Sequence, residues 1–455
     1  MQGTYSFRQF LERLDKKGKL VKVKEPVDLI YGVTKEARKY DRGPAVLLEN
    51  IKGFDIPIAF GIFNQRGYVA DLLQVGEDAL PDAIIERAQQ PVLPEYISGK
   101  APSQEVVIEN PDLLKEIPFP KHYERDAGRY CTSGVILTKD VDGPGINVSF
   151  ARMQICSDKI LVMINEWRHL ITMFLKAEAL GKNLPVAVII GPEPILWLEG
   201  AMPDGLAGLE ANELAVAGGL ARAPLSVTKA ITSDLPIPAY AEIVIEGEMI
   251  ANRRELEGPF GDYPKVYDQP PRYNPVIVPS VITRRKDAIY HDIIPAMYEH
   301  FWLGGIPREA DLMKSLRRMV RCVRKVHLTP GSVCRFHLVV QIEKSNDLEP
   351  REVIMAAMSP SESSRDIKIV TVVDSDINPF DPEDVEWAVT TRVQWDRDAL
   401  IVPRLPSALD PAAMVHTTVE ALKRGEICGA KIGVDATKPL YSGEMLHIFD
   451  KVDIP

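Results

Sequence analysis

Phe7, Phe10, Leu11 and Leu14 fall at i, i+3, i+4 and i+7 among polar neighbours, so the first pattern along the chain is one apolar face of a helix. The apolar runs Ala45–Leu48 and Ile56–Phe60, bounded by Gly and Pro, predict strands. Two prolines in Glu116-Ile-Pro-Phe-Pro-Lys121 then break the pattern, and residues 1–115 read as an α/β domain. Beyond this boundary the period changes. Ile146, Val148 and Phe150 alternate with Asn147, Ser149 and Ala151, the period of two that marks a half-buried strand. Ile160–Ile164, Val186–Ile190, Ile243–Ile245 and Val276–Ile282 predict more strands, interrupted by helical stretches around Leu170–Leu180 and Glu213–Ala221. Residues 116–305 thus read as a β-rich, barrel-like domain with inserted helices.

The pattern changes again in residues 306–455, which read as α/β. Leu312, Met313, Leu316, Met319, Val320 and Val323 form the apolar stripe of a basic helix expected over 308–325. Phe336–Ile342 and Ile367–Val373 predict strands, and Asp381-Pro382 with Glu383 and Asp384 predicts a helix start.

Composition narrows the function classes. A chain of 455 residues, 45% hydrophobic and 26% charged, has material for two or three cores. Net charge is −10 and the basic residues form no long runs, which argues against a nucleic-acid partner. The five cysteines are scattered without a CxxC, which argues against a Cys-cluster zinc site and a disulfide framework. The apolar run Leu184–Ile190 is far shorter than the ~20 residues that span a bilayer. The amino terminus lacks a signal pattern, so the expectation is a cytoplasmic protein without membrane contact.

Candidate chemistry centres on Glu257-Gly258-Pro259-Phe260-Gly261-Asp262. Gly and Pro exclude regular structure there and bring two acids onto one bend, where each shifts the other's proton affinity. A surface turn with two solvated acids is the competing reading of this segment alone. Arg152 offers a planar fork for a substrate carboxylate or for a structural ion pair. It lies five residues from Asn147, on the opposite face of a regular strand over 146–154, so a bulge is needed for both to line one cavity. His169, with an amide and an acid such as Glu213, suits an oxygen-rich divalent site that a ligand phosphate completes.

In this order the motifs resemble the UbiD family of reversible (de)carboxylases. The resemblance rests on Asn147-x-Ser149-x-Ala151-Arg152, Trp167-Arg168-His169, Glu213-Leu-Ala-Val-Ala-Gly-Gly-Leu220, Ala241-Glu-Ile-Val-Ile-Glu-Gly-Glu248 and Glu257-Gly-Pro-Phe-Gly-Asp262, with Lys431-Ile-Gly-Val-Asp-Ala-Thr437 as a closing motif. It implies a central split β-barrel (flavin reductase-like) domain that binds prenylated FMN, flanked by N-terminal and C-terminal α/β domains, the latter for oligomerisation. It further implies Mn²⁺ or Mg²⁺ on Asn147, His169 and Glu213, with K⁺ nearby. Ser149, Phe150, Ala151, Arg152 and Arg168 would line the cofactor, with Met202 and Pro203. The catalytic set would be Arg152, Glu257 and Asp262, with Asp where the family often has Glu. A separate flavin prenyltransferase would supply the cofactor, and the protein would be a homodimer or homohexamer.

The resemblance is nearest to the heteroaromatic branch. In His300-Phe-Trp-Leu-Gly-Gly-Ile-Pro-Arg308 an aromatic-rich turn would wall the pocket, and His300 with Arg308 would clamp a second carboxylate. The expected reaction is therefore decarboxylation of 2,5-furandicarboxylate to 2-furoate. Pyrrole-2-carboxylate or another aromatic monoacid is the alternative within the family. An FMN-dependent reductase or a non-catalytic carboxylase subunit is the alternative outside it.

Overall fold

The structure, a computed structural model, describes residues 5–165, 168–208, 211–267, 271–407, 409–418, 421, 426–440, 448–449 and 451–452. Trp167 of the Trp-Arg-His motif lies outside them. Two compact units emerge, Met1–Pro307 and Arg308–Pro455.

Helix α1 (Phe7–Lys16) starts at Ser6, whose side chain and that of Gln9 close a reciprocal capping box. Its expected apolar face, Phe7, Phe10, Leu11 and Leu14, is buried. Nearby, strands Leu20–Val23, Ala45–Leu48 and Ile58–Phe60 form a small sheet. The late strand Tyr290–His291 pairs parallel to Ile58–Phe60 and completes it, which ties the amino-terminal segment into the first unit.

The main sheet of this unit is antiparallel throughout. Its strands are β1 (Val106–Glu109), β2 (Arg129–Cys131), β3 (Val135–Lys139), β4 (Ile146–Phe150), β5 (Arg152–Ile155), β6 (Ile160–Met163), β7 (Leu184–Ile190), β8 (Ile243–Glu257) and β9 (Arg272–Arg284). Hydrogen bonding runs β2-β5-β6-β9-β8-β7-β3-β4, with β1 also on β9. The strand expected over 146–154 is corrected here, because it is two strands broken at Ala151. Residues before the break pair with β3, and those after it pair with β2 and β6. One residue therefore links the last strand of the path to the second strand from its start. A flat sheet cannot satisfy that connection, so the sheet curls into a half-barrel with its break at Ala151. Val186, Val188, Ile190, Ile243, Ile245, Ile277 and Ile282 fill its core.

Helices α2 (His169–Ala179), α3 (Pro194–Gly200) and α4 (Glu213–Ala221) are inserted in this domain. Helix α5 (Tyr298–Met319) corrects a second expectation. The helix expected over 308–325 begins ten residues earlier, and Val323–Leu328 is a strand. The expected aromatic turn at 300–308 is thus helical, despite Gly304, Gly305 and Pro307. Burial of Phe301, Leu303 and Ile306 outweighs the poor helix propensity of those residues.

In the second unit a five-stranded sheet runs Val323–Leu328, His337–Ile342, Ile369–Asp374, Cys428–Ala436, Ala399–Pro406. Helices Glu349–Met358 and Pro382–Arg392 accompany it, the latter capped by Asp381 as its sequence predicts. Among the described residues no helix is long and apolar enough to cross a membrane.

Candidate active site

The break at Ala151 puts Arg152 at the start of β5, facing the acids at the far end of β8. Its guanidinium grips Glu257 with two nitrogens, Nε to Oε1 at 3.1 Å and Nη2 to Oε2 at 3.0 Å. Nη1 reaches Asp262 Oδ2 at 2.9 Å. This fork-to-fork geometry fixes both partners in one plane. The Phe260 ring lies 5.0 Å from the guanidinium carbon, so aromatic surface covers the cation. Glu257 is 1% exposed and receives two more donors, Tyr130 Oη on Oε1 and Asn274 Nδ2 on Oε2, each at 3.0 Å. Burial pushes the Tyr130 hydroxyl far above its ordinary range, and the Glu257 charge adds to this, so it stays a donor.

The turn between the two acids is held from outside. Gly258 sits at φ 93°, a region open to glycine, and its N–H donates to Gln154 Oε1 at 3.1 Å. At Gly261 a Cβ would stand 2.4 Å from Tyr123 Cδ2, so only glycine fits. The Gly261 N–H donates to buried Asp126, which also accepts from the Tyr123 N–H. Ala127 N–H bonds Pro259 O at 2.8 Å.

On the other side of the break, β4 presents Asn147 and Ser149 to a second cluster. Glu213, first residue of α4, accepts from Asn147 Nδ2 at 3.0 and 3.1 Å and from Val148 N–H at 2.5 Å. Asn212 caps this helix and fixes where Glu213 projects. His169 opens α2, with Nδ1 3.3 Å from Glu213 and Nε2 2.9 Å from Asp204. Burial alone would lower the imidazole's proton affinity. Hydrogen bonds and charges from Asp204 and Glu213 outweigh it and raise His169 to about 9.

A small cleft adjoins this cluster, lined by Asn147, Ser149, Arg168, Met202, Pro203 and Glu199 among others. Arg168 donates to Met202 O at 3.1 Å. Burial, then the Glu213 charge, drives Glu199 well above the carboxylate range, and one of its oxygens has no partner. Glu213 and Asp204 beside Asn147 and the unpartnered Glu199 oxygen offer the oxygen donors that suit a bound cation. Among the described residues no three His, Cys, Asp or Glu side chains are placed to hold a metal by themselves. Asn147 and a ligand phosphate would have to complete the sphere, as the residue types suggest.

The sequence-derived residues therefore fall into two groups joined by residues 147–152. Arg152, Glu257 and Asp262 converge on one, and Asn147, Ser149, Arg168, His169, Met202, Pro203 and Glu213 on the other. Phe150 and Ala151 are the link between them. His300 lies in the first turn of α5, its ring 4.4 Å from that of Tyr263. Arg308 is 7% exposed, and its Nη1 donates to Glu362 O at 2.9 Å. Sequence reasoning missed Tyr130, Asn274, Asp204 and Glu199. Only Glu199 carried a signal, a lone acid in the otherwise apolar segment Pro194–Gly200.

Known proteins match this chain over nearly its whole length. Family models for the 3-octaprenyl-4-hydroxybenzoate carboxy-lyase match in three parts: the N-terminal domain over residues 11–88, the Rift-related domain over 95–298 and the C-terminal domain over 301–436. The anhydromevalonate phosphate decarboxylase of Methanothermobacter thermautotrophicus is 36% identical, across 96% of this chain and 98% of that protein. The UbiD-class enzyme HmfF from Pelotomaculum thermopropionicum, solved with FMN, superposes with a TM-score of 0.92 at 38% identity, covering 99% of this chain and 98% of that one. An evolved dimeric form of the same enzyme, solved with prFMN, gives 0.88 at 37% identity, covering 99% and 97%.

Proposed function

The chain belongs to the UbiD family of carboxy-lyases, and on that premise we propose that it releases CO₂ from an acid whose carboxyl group stands on an sp² carbon, with prenylated FMN as cofactor. The observation that carries this reading is Arg152, a carboxylate-binding fork clamped between two acids, one of them almost fully buried. Losing CO₂ from such a carbon leaves an electron pair that the substrate's π system cannot take up. Prenylated FMN, when bound, supplies the missing electron sink.

The remaining steps belong to the chain's own residues. Arg152 orients the substrate carboxylate. Its arrival brings a third negative charge to a single cation, which favours proton uptake by one of the acids. Glu257 then delivers that proton to the carbon that lost CO₂. Tyr130 and Asn274 hold the Glu257 carboxyl in place, and Asp262 holds the third nitrogen of Arg152. Neither a flavin reductase nor a non-catalytic subunit needs this set. Asn147, His169 and Glu213 would hold Mn²⁺ or Mg²⁺, with K⁺ alongside. Ser149, Phe150, Ala151, Arg168, Met202 and Pro203 would line the flavin. A flavin prenyltransferase as cofactor supplier and a homo-oligomeric state complete the reading.

The substrate expectation shifts. A relative that matches nearly the whole chain is named for anhydromevalonate phosphate, and that name lends furandicarboxylate no support. Loss of water from a 3-hydroxy acid leaves a double bond beside the carboxyl group. Such an acid therefore poses the same electronic problem as an aromatic one. A phosphorylated enoic acid is the first substrate to test, followed by furan-2,5-dicarboxylate and pyrrole-2-carboxylate. CO₂ release by protein co-expressed with a flavin prenyltransferase is the assay, and no release from any acid in the panel would overturn the proposal.

A further inference from the structure

The turn that carries Asp262 continues into a lysine with no assigned role. Lys265 N–H donates to Asp262 O at 3.0 Å, and the Asp262 N–H donates to Val266 O, so the lysine is held one tight turn from the acid on Arg152. Its ammonium lies 5.2 Å from the centre of the Phe301 ring. That ring is packed on two others, Tyr263 at 5.4 Å and Tyr298 at 5.7 Å. A second cation, Arg42, sits 4.2 Å over Tyr298.

Both cations are exposed, and among the described residues no carboxylate lies within ion-pair distance of either. The nearby Asp41 instead accepts from the Tyr298 N–H at 2.9 Å. Two cations on adjoining rings, one of them on the turn whose Asp262 pairs with Arg152, make a surface that attracts an anion. Arg308 is buried, and its Nη1 donates to Glu362 O.

We propose that Lys265 and Arg42 form a subsite for a second anionic group of the substrate, at the end remote from the carboxylate on Arg152. This rests on the decarboxylase reading for where the first carboxylate sits. A phosphate monoester and a second carboxylate share the required chemistry. The subsite sorts acids by a charge several bonds from the reacting carbon, so it sets affinity and leaves the chemical step alone.

The test reads binding rather than turnover, in full-length protein loaded with unprenylated FMN. Two ligand pairs are titrated calorimetrically: 3-methyl-5-phosphonooxypent-2-enoate against 3-methylpent-2-enoate, and furan-2,5-dicarboxylate against furan-2-carboxylate. In the wild type one pair shows about a tenfold gain from the second anion, and the pair that does so identifies its source. Lys265→Met and Arg42→Met each reduce that gain, the double variant abolishes it, and Lys265→Arg keeps it. Monoacid affinity, unchanged across the set, shows that the variants are folded. No gain in either pair, or a gain that survives the double variant, overturns the subsite. Failure of the decarboxylase reading appears separately, as absence of CO₂ release from prenylated-FMN-loaded protein.

Discussion

Glu257→Gln removes the proton that the account assigns to catalysis while keeping the side chain's size. The carboxylate accepts from Tyr130 at 3.0 Å, from Arg152 at 3.1 and 3.0 Å, and from Asn274 at 3.0 Å. A glutamine has one acceptor oxygen, so it keeps one pair of these bonds and turns its amide hydrogens toward the other pair of donors. Removing one partner of a buried ion pair costs about 3–5 kcal/mol, and less here because Asp262 stays on Arg152. The expected loss of stability is therefore about 2–3 kcal/mol, read by chemical denaturation. The kinetic loss is separate. Without a general acid, kcat falls by about 10²–10⁴-fold in folded, cofactor-loaded enzyme. Flavin absorbance should show unchanged cofactor content. Glu257→Asp keeps an acid at a shorter reach and retains measurable turnover. In D₂O the wild type places deuterium at the carbon that lost CO₂, and the Gln variant does so only at its residual rate. A Gln variant turning over within a factor of about three of wild type would refute the assignment.

Three further outcomes follow from other parts of the structure. Gly261→Ala drives a methyl group against Tyr123 and should cost about 1–3 kcal/mol with a slower turnover, whereas an unchanged melting curve would show that the turn can relax. Glu213→Gln should weaken Mn²⁺ binding and FMN retention by about 10–100-fold, measured by metal titration and flavin content, and unaltered affinities would remove it from the metal site. Burial raises Glu193 from 4.5 to about 7, so between those values the fold holds a proton that the unfolded chain has released. The contribution of Glu193 to stability should therefore be fullest below pH 4.5 and be lost as pH rises through 7, by about 3 kcal/mol. Glu193→Gln should flatten that slope, and an identical pH profile would contradict it.

Several parts of this molecule were legible in the sequence because one local rule governed each. The spacing of Phe7, Phe10, Leu11 and Leu14 specifies a buried helix face, and Asp381-Pro382 marks a helix start. Arg152 and the Glu257–Asp262 turn stand out by residue type, and the structure brings them together. The break at Ala151 did not, because alternation persists through it and only partners distant in sequence reveal two strands. Gly304, Gly305 and Pro307 read as a turn, yet tertiary burial of their apolar neighbours holds them in a helix. Tyr130 and Asn274 reach Glu257 from 127 and 17 residues away, contacts that only sheet register creates.

On the proposed function, this chain uses prenylated FMN to remove CO₂ through Arg152 and Glu257. The most direct test compares the same purified protein loaded with prenylated FMN and with unmodified FMN, each given the phosphorylated enoic acid and the aromatic acids. The expected result is CO₂ release in stoichiometric step with product from the prenylated form alone, lost in Arg152→Ala. Equal release from the unmodified form, or none from the prenylated form with any acid, would contradict it.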